Sequence, residues 1–359
     1  MRPTILHVDS LEQLLRIRSN SVQCVVTSPP YWSLRDYGVD GQIGLEASLP
    51  EFLDRLVEVF EQVHRILRPD GVCWVNMGDS YATASRGMAQ TGLKAASDVY
   101  SPRKNPRSSH SYSDRPQTPP RPRAPGFRPK ELIGQPWRLA FALQDAGWLL
   151  RQDIIWHKTQ PMPESVRDRC TKAHEYVFLL SKSEKYFWDP IAAKEPVSGT
   201  AHARGAGVNP KARSKAVGGW ASGPGSHSAR DHAKTPQRAP RARQNESFSA
   251  AVSGLVDRRN WRSVWSIPTQ AFKGGHAATF PERLAERCIL AASRPGDVVL
   301  DPFGGSGTTG LVAHRHGRRS VLIELSPEYV EIAKARLGTD VQMALDFDLV
   351  REPHTPEIL

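Results

Sequence analysis

The residues best suited to chemistry in this chain stand in a proline-rich turn near its N-terminus. Residues 25–32 read VVTSPPYW, so an apolar run ends in Ser28, Pro29, Pro30 and Tyr31. Consecutive prolines exclude a helix and remove two N–H donors, which leaves a stiff turn whose carbonyls are free to accept hydrogen bonds. The Ser28 hydroxyl and the Pro29 carbonyl can both accept from one amino group, and the Tyr31 ring can stack on a planar group.

One reaction that needs such a pair of acceptors is the methylation of an aromatic amine. The exocyclic amine of cytosine or adenine is a poor nucleophile because its lone pair is delocalised into the ring. Acceptors aimed at its two N–H bonds would localise that lone pair and favour attack on an electrophilic methyl group. The Tyr31 ring would then stack on a base swung out of the duplex. The alternative is a rigid turn with packed aromatics and no catalytic role.

A second segment, near the C-terminus, has the composition of a ligand-binding turn. Residues 297–310 read DVVLDPFGGSGTTG, in which Gly305, Gly307 and Gly310 satisfy GxGxxG, and Glu324 follows nineteen residues after Gly305. Glycines let the backbone approach a nucleoside closely, and a carboxylate ending the next strand can take both ribose hydroxyls. This spacing predicts a nucleoside-containing cofactor. No Lys-Ser/Thr pair follows the glycines as in a P-loop, and the serine lacks the GxSxG spacing of an esterase.

The elements that must hold these two turns alternate between strands and helices. The clearest helix pattern runs over residues 51–67, and others run over 281–293 and onward from Pro327. Strands alternating with helices predict an α/β fold with a doubly wound, mostly parallel, Rossmann-like sheet. The predicted strands are residues 5–8, 22–27, 72–77, 153–157, 175–180, 297–301 and 320–325.

The charge of the chain favours a polyanionic partner. The formal net charge is +11 and the sequence pI is about 9.7, which suits nucleic acid better than an anionic membrane surface. Residues 81–130 hold ten Lys/Arg against two Asp/Glu, and residues 191–260 hold twelve against four. The other 239 residues therefore carry a net charge of −5. Both basic stretches are rich in Pro, Gly and Ser, which indicates either arms that hold phosphates or solubilising insertions.

Cysteine and histidine usage argues against metal or disulfide chemistry. The four cysteines lie far apart without a CxxC pair, and the histidines are scattered, so we expect neither a disulfide framework nor a metal site. No apolar run approaches the roughly 18 residues of a spanning helix, and the first ten residues lack the layout of a signal peptide. We therefore expect a cytoplasmic protein.

Together these motifs resemble those of the S-adenosylmethionine-dependent DNA amino-methyltransferases, in the circular order where the catalytic motif precedes the cofactor motif. SPPY after an early strand and DPFGGSGTTG near the C-terminus carry the resemblance. HVDSLEQL at residues 7–14, the segment 156–179 and HAATFP at residues 276–281 also resemble the family. The resemblance covers nearly all of the chain outside the two basic stretches.

The resemblance implies a role for each motif residue and no metal ion. Ser28, Pro29, Pro30 and Tyr31 would be the catalytic residues, and double-stranded DNA the substrate. Asp9 would contact the adenosine of S-adenosyl-L-methionine. The cofactor-binding residues so implied are Asp9, Phe280, Pro281, Asp301, Phe303, Gly305, Gly307, Thr308 and Glu324.

The sequence indicates the reaction more strongly than it indicates which base is methylated. Serine at the first position of the catalytic motif favours cytosine N4 over adenine N6. Methylation of cytosine C5 is disfavoured because it needs a thiolate, typically after proline, and no cysteine here follows a proline. Two other classes remain open: an NAD-dependent oxidoreductase built on the glycine turn, and a basic DNA-binding protein without catalysis. A separate cognate restriction endonuclease is a further expected partner, and the oligomeric state is not readable.

The motifs divide the chain into six segments. The two halves of the core would enclose a central part, interrupted by the basic stretches. The predicted segments are 1–80 (catalytic half), 81–130 (basic insertion), 131–190 (central strands and helix), 191–260 (basic, loop-rich target-recognition region), 261–340 (cofactor-binding half) and 341–359 (tail).

Overall fold

The chain was analysed as a computed structural model, which describes residues 3–82, 126–196, 258–270 and 280–338, together with Leu349. It divides into two compact units, one formed by Met1–Ala193 with Arg262–Leu359 and the other by Lys194–Trp261. The described part of the second unit is a pair of short antiparallel strands. The six-segment division, including a recognition region at 191–260, stays a prediction.

An eight-stranded mixed sheet forms the first unit. Its strands, in chain order, are β1 (Thr4–His7), β2 (Val22–Thr27), β3 (Leu67–Met77), β4 (Leu149–His157), β5 (His174–Ser181), β8 (Val264–Ser266), β9 (Val298–Asp301) and β10 (Arg319–Glu324). Across the sheet they lie in the order β1-β10-β9-β2-β3-β5-β4-β8. The second unit contains β6 (Lys194–Pro196) and β7 (Arg258–Asn260), which pair antiparallel.

The pairing confirms the predicted fold class. From β1 through β3 all neighbours run parallel. β5 runs antiparallel to both β3 and β4, and β4 pairs in parallel with β8. All seven predicted strands form. The antiparallel direction of β5 was not predicted, because the residue types of a strand indicate how deeply it is buried but not which way it runs.

Six helices of the described residues flank the sheet. They are α1 (Ser10–Arg16), α2 (Leu49–Ile66), α3 (Gln135–Asp145), α4 (Glu282–Ala292), α5 (Thr308–Arg315) and α6 (Pro327–Leu337). The start of α2 is held by a capping box between Ser48 and Glu51. Its apolar face, including Phe52, Leu56 and Phe60, is fully buried in the main core. None of these described helices combines the length and apolarity of a transmembrane span.

One boundary differs from the prediction. The sequence predicted the strand after α2 at residues 72–77, whereas β3 begins at Leu67. Leu67 pairs with Val22, and a shift of register between Val22 and Cys24 accommodates the extra residues. Helix α2 therefore ends at Ile66, because the chain is already extended against β2.

Aromatic and sulfur-containing side chains of the sheet are buried in the core. Trp156 and Trp265 are 3% and 2% exposed, so both are core residues. The ring of Trp265 lies 6.1 Å from that of Trp74. Cys24 is fully buried within β2, and burial raises the pKa of its thiol far above the ordinary value. A neutral buried thiol of this kind packs as a small apolar group.

The sheet brings the two chemically suggestive turns together. β2 and β9 are parallel neighbours, with Cys24 opposite Val299 and Val25 opposite Leu300. Their carboxyl ends therefore lie at the same edge, so the SPPY turn after β2 and the glycine turn after β9 lie side by side. Ligands of open α/β sheets bind at such an edge, where the strands end.

Candidate active site

A pocket opens at the carboxyl edge of the strands, between the two turns. It contains about 820 Å³ of empty space, a volume that includes open solvent. Six of the residues singled out in the sequence line this pocket together. They are Asp9, Ser28, Pro30, Phe303, Gly305 and Glu324.

Glu324 holds the glycine turn while facing the pocket. Its Oε2 accepts from the Gly305 N–H at 2.7 Å, and its Oε1 accepts from the Ser326 N–H at 2.8 Å. Burial raises the pKa of Glu324, and these backbone N–H groups act in the opposite direction. A carboxylate has about four acceptor sites, so these backbone contacts do not use up its capacity to accept. The geometry suits a carboxylate that binds a diol from a position fixed by the backbone.

Asp301 joins the two turns from below rather than lining the pocket. The residue is 1% exposed, and its carboxyl accepts from Thr27 Oγ1 at 2.6 Å and from the Phe303 N–H at 3.1 Å. Thr27 immediately precedes Ser28, so Asp301 ties the catalytic turn to the glycine turn. The cofactor contact that the resemblance implies for Asp301 stays a prediction, and the described hydrogen bonds give it a positioning contact with both turns.

A protonated Asp301 can donate its hydrogen to a neighbouring buried group. Burial raises its pKa to about 7, against the hydrogen bonds from Thr27 and Thr309. Thr309 Oγ1 lies 2.8 Å from Asp301 Oδ2 and 3.0 Å from the Val26 carbonyl oxygen, but a hydroxyl has only one hydrogen. When Asp301 is protonated it can donate to Thr309, which then donates to Val26, so every buried group is satisfied.

Stability of the ligand-free protein should therefore depend on pH through Asp301. Between about pH 4 and pH 7 the folded state holds a proton that the unfolded chain releases, so stability falls as pH rises through this window. The expected slope for one group is about 1.4 kcal/mol per pH unit. Asp301→Asn should flatten the curve by that amount, because the amide can donate to Thr309 at every pH.

Urea unfolding of both proteins from pH 4 to pH 8 measures this difference. Asp54→Asn, which changes an exposed carboxylate on α2, is the matched control. Curves of equal slope for wild type and Asp301→Asn would contradict the assignment of a neutral Asp301.

The second half of the glycine turn serves helix packing. Gly307 caps α5 at φ +80°, and a Cβ there would lie 3.1 Å from the Cβ of Ala333 on α6. Thr308 Oγ1 accepts from Arg336 Nη1 at 2.9 Å, as does Ser306 Oγ at the same distance. Gly307 and Thr308 therefore shape the turn and do not line the pocket that the structure describes.

The remaining predicted cofactor residues divide between the pocket and its surroundings. Asp9 accepts from the Glu12 N–H at 3.1 Å, which caps α1, and also lines the pocket. Phe280 is half-buried and Pro281 is buried at the start of α4, and neither belongs to the described pocket lining. The rest of the HAATFP motif, residues 276–279, lies outside the described residues.

One wall of the pocket was missed at the sequence level. It comes from the segment 35–43, directly after the SPPYW turn, and from Tyr329 of α6. The rings of Tyr37 and Tyr329 meet edge to face with centroids 5.8 Å apart. Two aromatic rings and Val39 offer a surface for a planar heterocycle. The only signal in the sequence was a glycine- and aromatic-containing loop next to the catalytic motif.

The catalytic turn is fixed by side chains from distant elements. The Trp32 N–H donates to Gln135 Oε1 at 2.9 Å, and Gln135 Nε2 donates to Ser80 Oγ at 2.6 Å. Ser28 and Pro30 are half-buried at the pocket, and Pro29 is buried between them. Tyr31 Oη donates to Glu175 Oε2 at 3.0 Å, behind the turn. The turn is thus held rigidly with Ser28 at the pocket surface.

Within the described ranges, no cluster of three or more His, Cys, Asp or Glu side chains could hold a metal ion.

The chain matches a known protein family and is similar to individual methyltransferases. A family model described as DNA methylase (N6_N4_Mtase) matches residues 22–335. The Type II methyltransferase M.Cfr9I of Citrobacter freundii is 44% identical over 341 residues, which cover 95% of this chain and 89% of the relative. The Type II methyltransferase M.SmaI of Serratia marcescens is 40% identical over 329 residues, covering 92% and 88%.

Solved structures share the fold at lower identity. The PvuII DNA methyltransferase (cytosine-N4-specific) has a TM-score of 0.56 and 20% identity, covering 95% of this chain and 87% of its own. A putative DNA modification methylase of Thermus thermophilus, complexed with S-adenosyl-L-methionine, has a TM-score of 0.52 and 24% identity, covering 94% and 93%. At these identities the likeness shows the fold alone.

Proposed function

The chain belongs to the DNA methylase family, the S-adenosylmethionine-dependent enzymes that methylate base amines in DNA, and we propose that its own target is N4 of cytosine. The observation that supports methylation of a base amine is the shared pocket. Ser28 and Pro30 of the catalytic turn line the same cavity as Phe303, Gly305 and Glu324 of the cofactor turn. A methyl donor held by the second set would face an amine held by the first.

The chemistry of the pocket lining suits the methyl donor. Glu324 offers acceptors for a ribose diol, and Tyr37 and Tyr329 offer rings for an adenine. Gly305 carries no side chain to block the approach of a ligand to the turn. When bound here, S-adenosylmethionine supplies a methyl group on a sulfonium centre, which is already a good leaving group.

The catalytic turn would activate the amine by accepting its hydrogens. The Ser28 hydroxyl oxygen, at the pocket surface, accepts from one N–H of the base amine, and we assign the Pro29 carbonyl to the other. Both acceptors draw the nitrogen lone pair out of conjugation, so they act mainly in the transition state. Bringing the amine within reach needs a base flipped out of the duplex, which DNA-modifying enzymes commonly achieve.

The preference for cytosine rests on Ser28, because serine at this motif position favours N4 over N6 in the family that the chain resembles. The relatives named Type II methyltransferases support a place in a restriction–modification system, with the endonuclease as a separate protein. A DNA substrate fits a cytoplasmic site of action.

Sequencing of genomic DNA from cells expressing the wild type, in a mode that reports modified bases, tests the choice of base. We expect N4-methylcytosine at one short recurring sequence and none in cells expressing Ser28→Ala. N6-methyladenine at a recurring sequence would replace the cytosine assignment and leave the family assignment intact.

Target recognition is proposed to lie in residues 191–260, where twelve Lys/Arg stand against four Asp/Glu. Lys and Arg hold phosphates, but base-edge contacts are what distinguish sequences. In β7, Arg259 Nε donates to Glu195 Oε1 at 2.8 Å, whereas Arg258 and Asn260 are exposed. Arg258 and Asn260 are therefore the better candidates for reading purine edges.

Deleting residues 200–245 should leave cofactor binding intact and lower both DNA affinity and its dependence on salt, because phosphate contacts release counterions. Binding titrations at several salt concentrations measure both.

In contrast, Arg258→Ala combined with Asn260→Ala should relax the recognised sequence with little change in cofactor affinity. If deleting residues 200–245 changes neither DNA affinity nor the recognised sequence, target recognition would be assigned to residues 81–130.

A further inference from the structure

Glu175, at the start of β5, stands at the centre of a hydrogen-bond network behind the catalytic turn. Its Oε1 accepts from Lys158 Nζ at 2.5 Å. Its Oε2 accepts from Tyr31 Oη at 3.0 Å and from Asn76 Nδ2 at 2.9 Å. Tyr31 Oη in turn lies 3.4 Å from Ser28 Oγ. Ser28 is thus the pocket end of a chain of polar groups that finishes at a carboxylate.

The network is packed closely enough to fix its members. A Cβ added to Gly78 would lie 3.0 Å from both the Glu175 carboxyl carbon and Tyr31 Cε2. The Tyr31 ring and the Glu175 carboxyl therefore rest against the backbone of a glycine that no larger residue could replace without displacing them. Lys158 is 23% and Glu175 14% exposed at the side chain, so solvent competes little for these bonds.

The number of hydrogens on these groups determines which group donates and which accepts in each hydrogen bond of the network. The carboxylate paired with Lys158 offers only acceptors, so the single hydrogen of the Tyr31 hydroxyl points to Glu175. The lone pairs of Tyr31 Oη then accept from Ser28 Oγ and from Asn76 Nδ2, each 3.4 Å away, so the single hydrogen of Ser28 points to Tyr31 and away from the pocket. The Ser28 oxygen is left with lone pairs toward the target amine.

We propose that Glu175 is a positioning residue that, through the Tyr31 hydroxyl, fixes the Ser28 hydroxyl as a hydrogen-bond acceptor for the base amine. This inference rests on the proposed function, because an acceptor at Ser28 matters only if the substrate presents N–H groups. It assigns to Tyr31 a second role besides stacking, carried by its hydroxyl.

A carboxylate is required at this position because both of its oxygens accept. In Glu175→Gln the amide has one accepting oxygen, which will turn toward the Lys158 ammonium. The amide NH₂ then faces Tyr31 Oη, so the tyrosine must accept and its hydrogen turns to Ser28. The Ser28 hydrogen is thereby directed into the pocket, where it opposes the N–H groups of the amine.

The test is a double-mutant cycle in single-turnover methyl transfer to DNA. Glu175→Gln and Tyr31→Phe should each lower the rate by about 10- to 100-fold, which stays within the cost of losing the Ser28 acceptor itself. The two together should be no slower than Tyr31→Phe alone, because Glu175 acts through the hydroxyl that phenylalanine lacks. Affinity for S-adenosylmethionine should be unchanged, and Glu61→Gln, an exposed carboxylate on α2, should have no effect.

A readout independent of activity follows the hydrogen bond itself. With ¹³C at Cζ of the eight tyrosines, the Tyr31 signal is assigned by its loss in Tyr31→Phe. Glu175→Gln should shift that signal, because Tyr31 changes from donor to acceptor. Near wild-type turnover of Glu175→Gln or Tyr31→Phe, an unmoved signal, or equal losses from Glu175→Gln in both backgrounds would overturn the proposal. A wild type that transfers no methyl group would instead refute the proposed function.

Discussion

Replacing Ser28 by alanine is expected to lower the rate of methyl transfer by about 10²- to 10³-fold while leaving S-adenosylmethionine bound with near wild-type affinity. Ser28 lines the pocket beside the cofactor turn. In the proposed function its oxygen makes its decisive contact with the amine only as the nitrogen attacks. Loss of a contact made in the transition state lowers the rate without weakening ground-state binding.

Single-turnover transfer of labelled methyl to DNA, with cofactor affinity measured separately by calorimetry, separates these effects. Ser19→Ala is the matched control, because Ser19 precedes β2 at the end opposite the pocket and is exposed. A Ser28→Ala rate within about twofold of wild type would contradict the catalytic assignment, since an acceptor of this kind is worth far more. An equal loss of cofactor affinity would reassign Ser28 to cofactor binding.

Glu324→Ala is expected to weaken S-adenosylmethionine binding by about 100-fold, on the order of two charge-assisted hydrogen bonds after partial compensation by water. Its carboxylate also accepts the Gly305 and Ser326 N–H groups, so its loss frees the glycine turn as well. DNA affinity and its salt dependence should persist, because they come from Lys and Arg elsewhere.

Calorimetry with S-adenosylmethionine and with its demethylated product measures the change for Glu324→Ala. Glu331→Ala, an exposed carboxylate paired with Lys334 on α6, is the control. Unchanged affinity in Glu324→Ala would remove Glu324 from the site. If the wild type bound NAD instead of either ligand, the glycine turn would belong to an oxidoreductase.

Most of the fold could be predicted because buried parallel strands have a strong local signature. Runs such as VVLD in β9 and VQCVVT in β2 are apolar and β-branched, and turn residues mark their ends. The antiparallel direction of β5 had no such signature, since its partners β3 and β4 are chosen by packing across the whole sheet. Likewise, the early start of β3 at Leu67 depends on its pairing with Val22.

The site was predicted where a motif is local and missed where contacts are distant. Gly305 follows β9 and Glu324 ends β10, and their approach at the pocket follows from the parallel pairing of these two strands. Glu175 lies 144 residues from Tyr31, and its role depends on β5 lying beside β3. Membership of the glycine-turn motif also does not show whether a residue lines the pocket or supports the turn. Asp301 and Gly307 belong to the same motif as Gly305, yet they hold the turn from beneath.

The most direct measurement of the central claim is the product formed on DNA. The purified protein is incubated with double-stranded DNA and S-adenosylmethionine carrying a deuterated methyl group, and the DNA is digested to nucleosides for mass spectrometry. Our account predicts one labelled nucleoside, deuterated N4-methyldeoxycytidine, which disappears with Ser28→Ala. Label at cytosine C5, or DNA binding by the wild type with no label transferred, would contradict methylation of a base amine at this site.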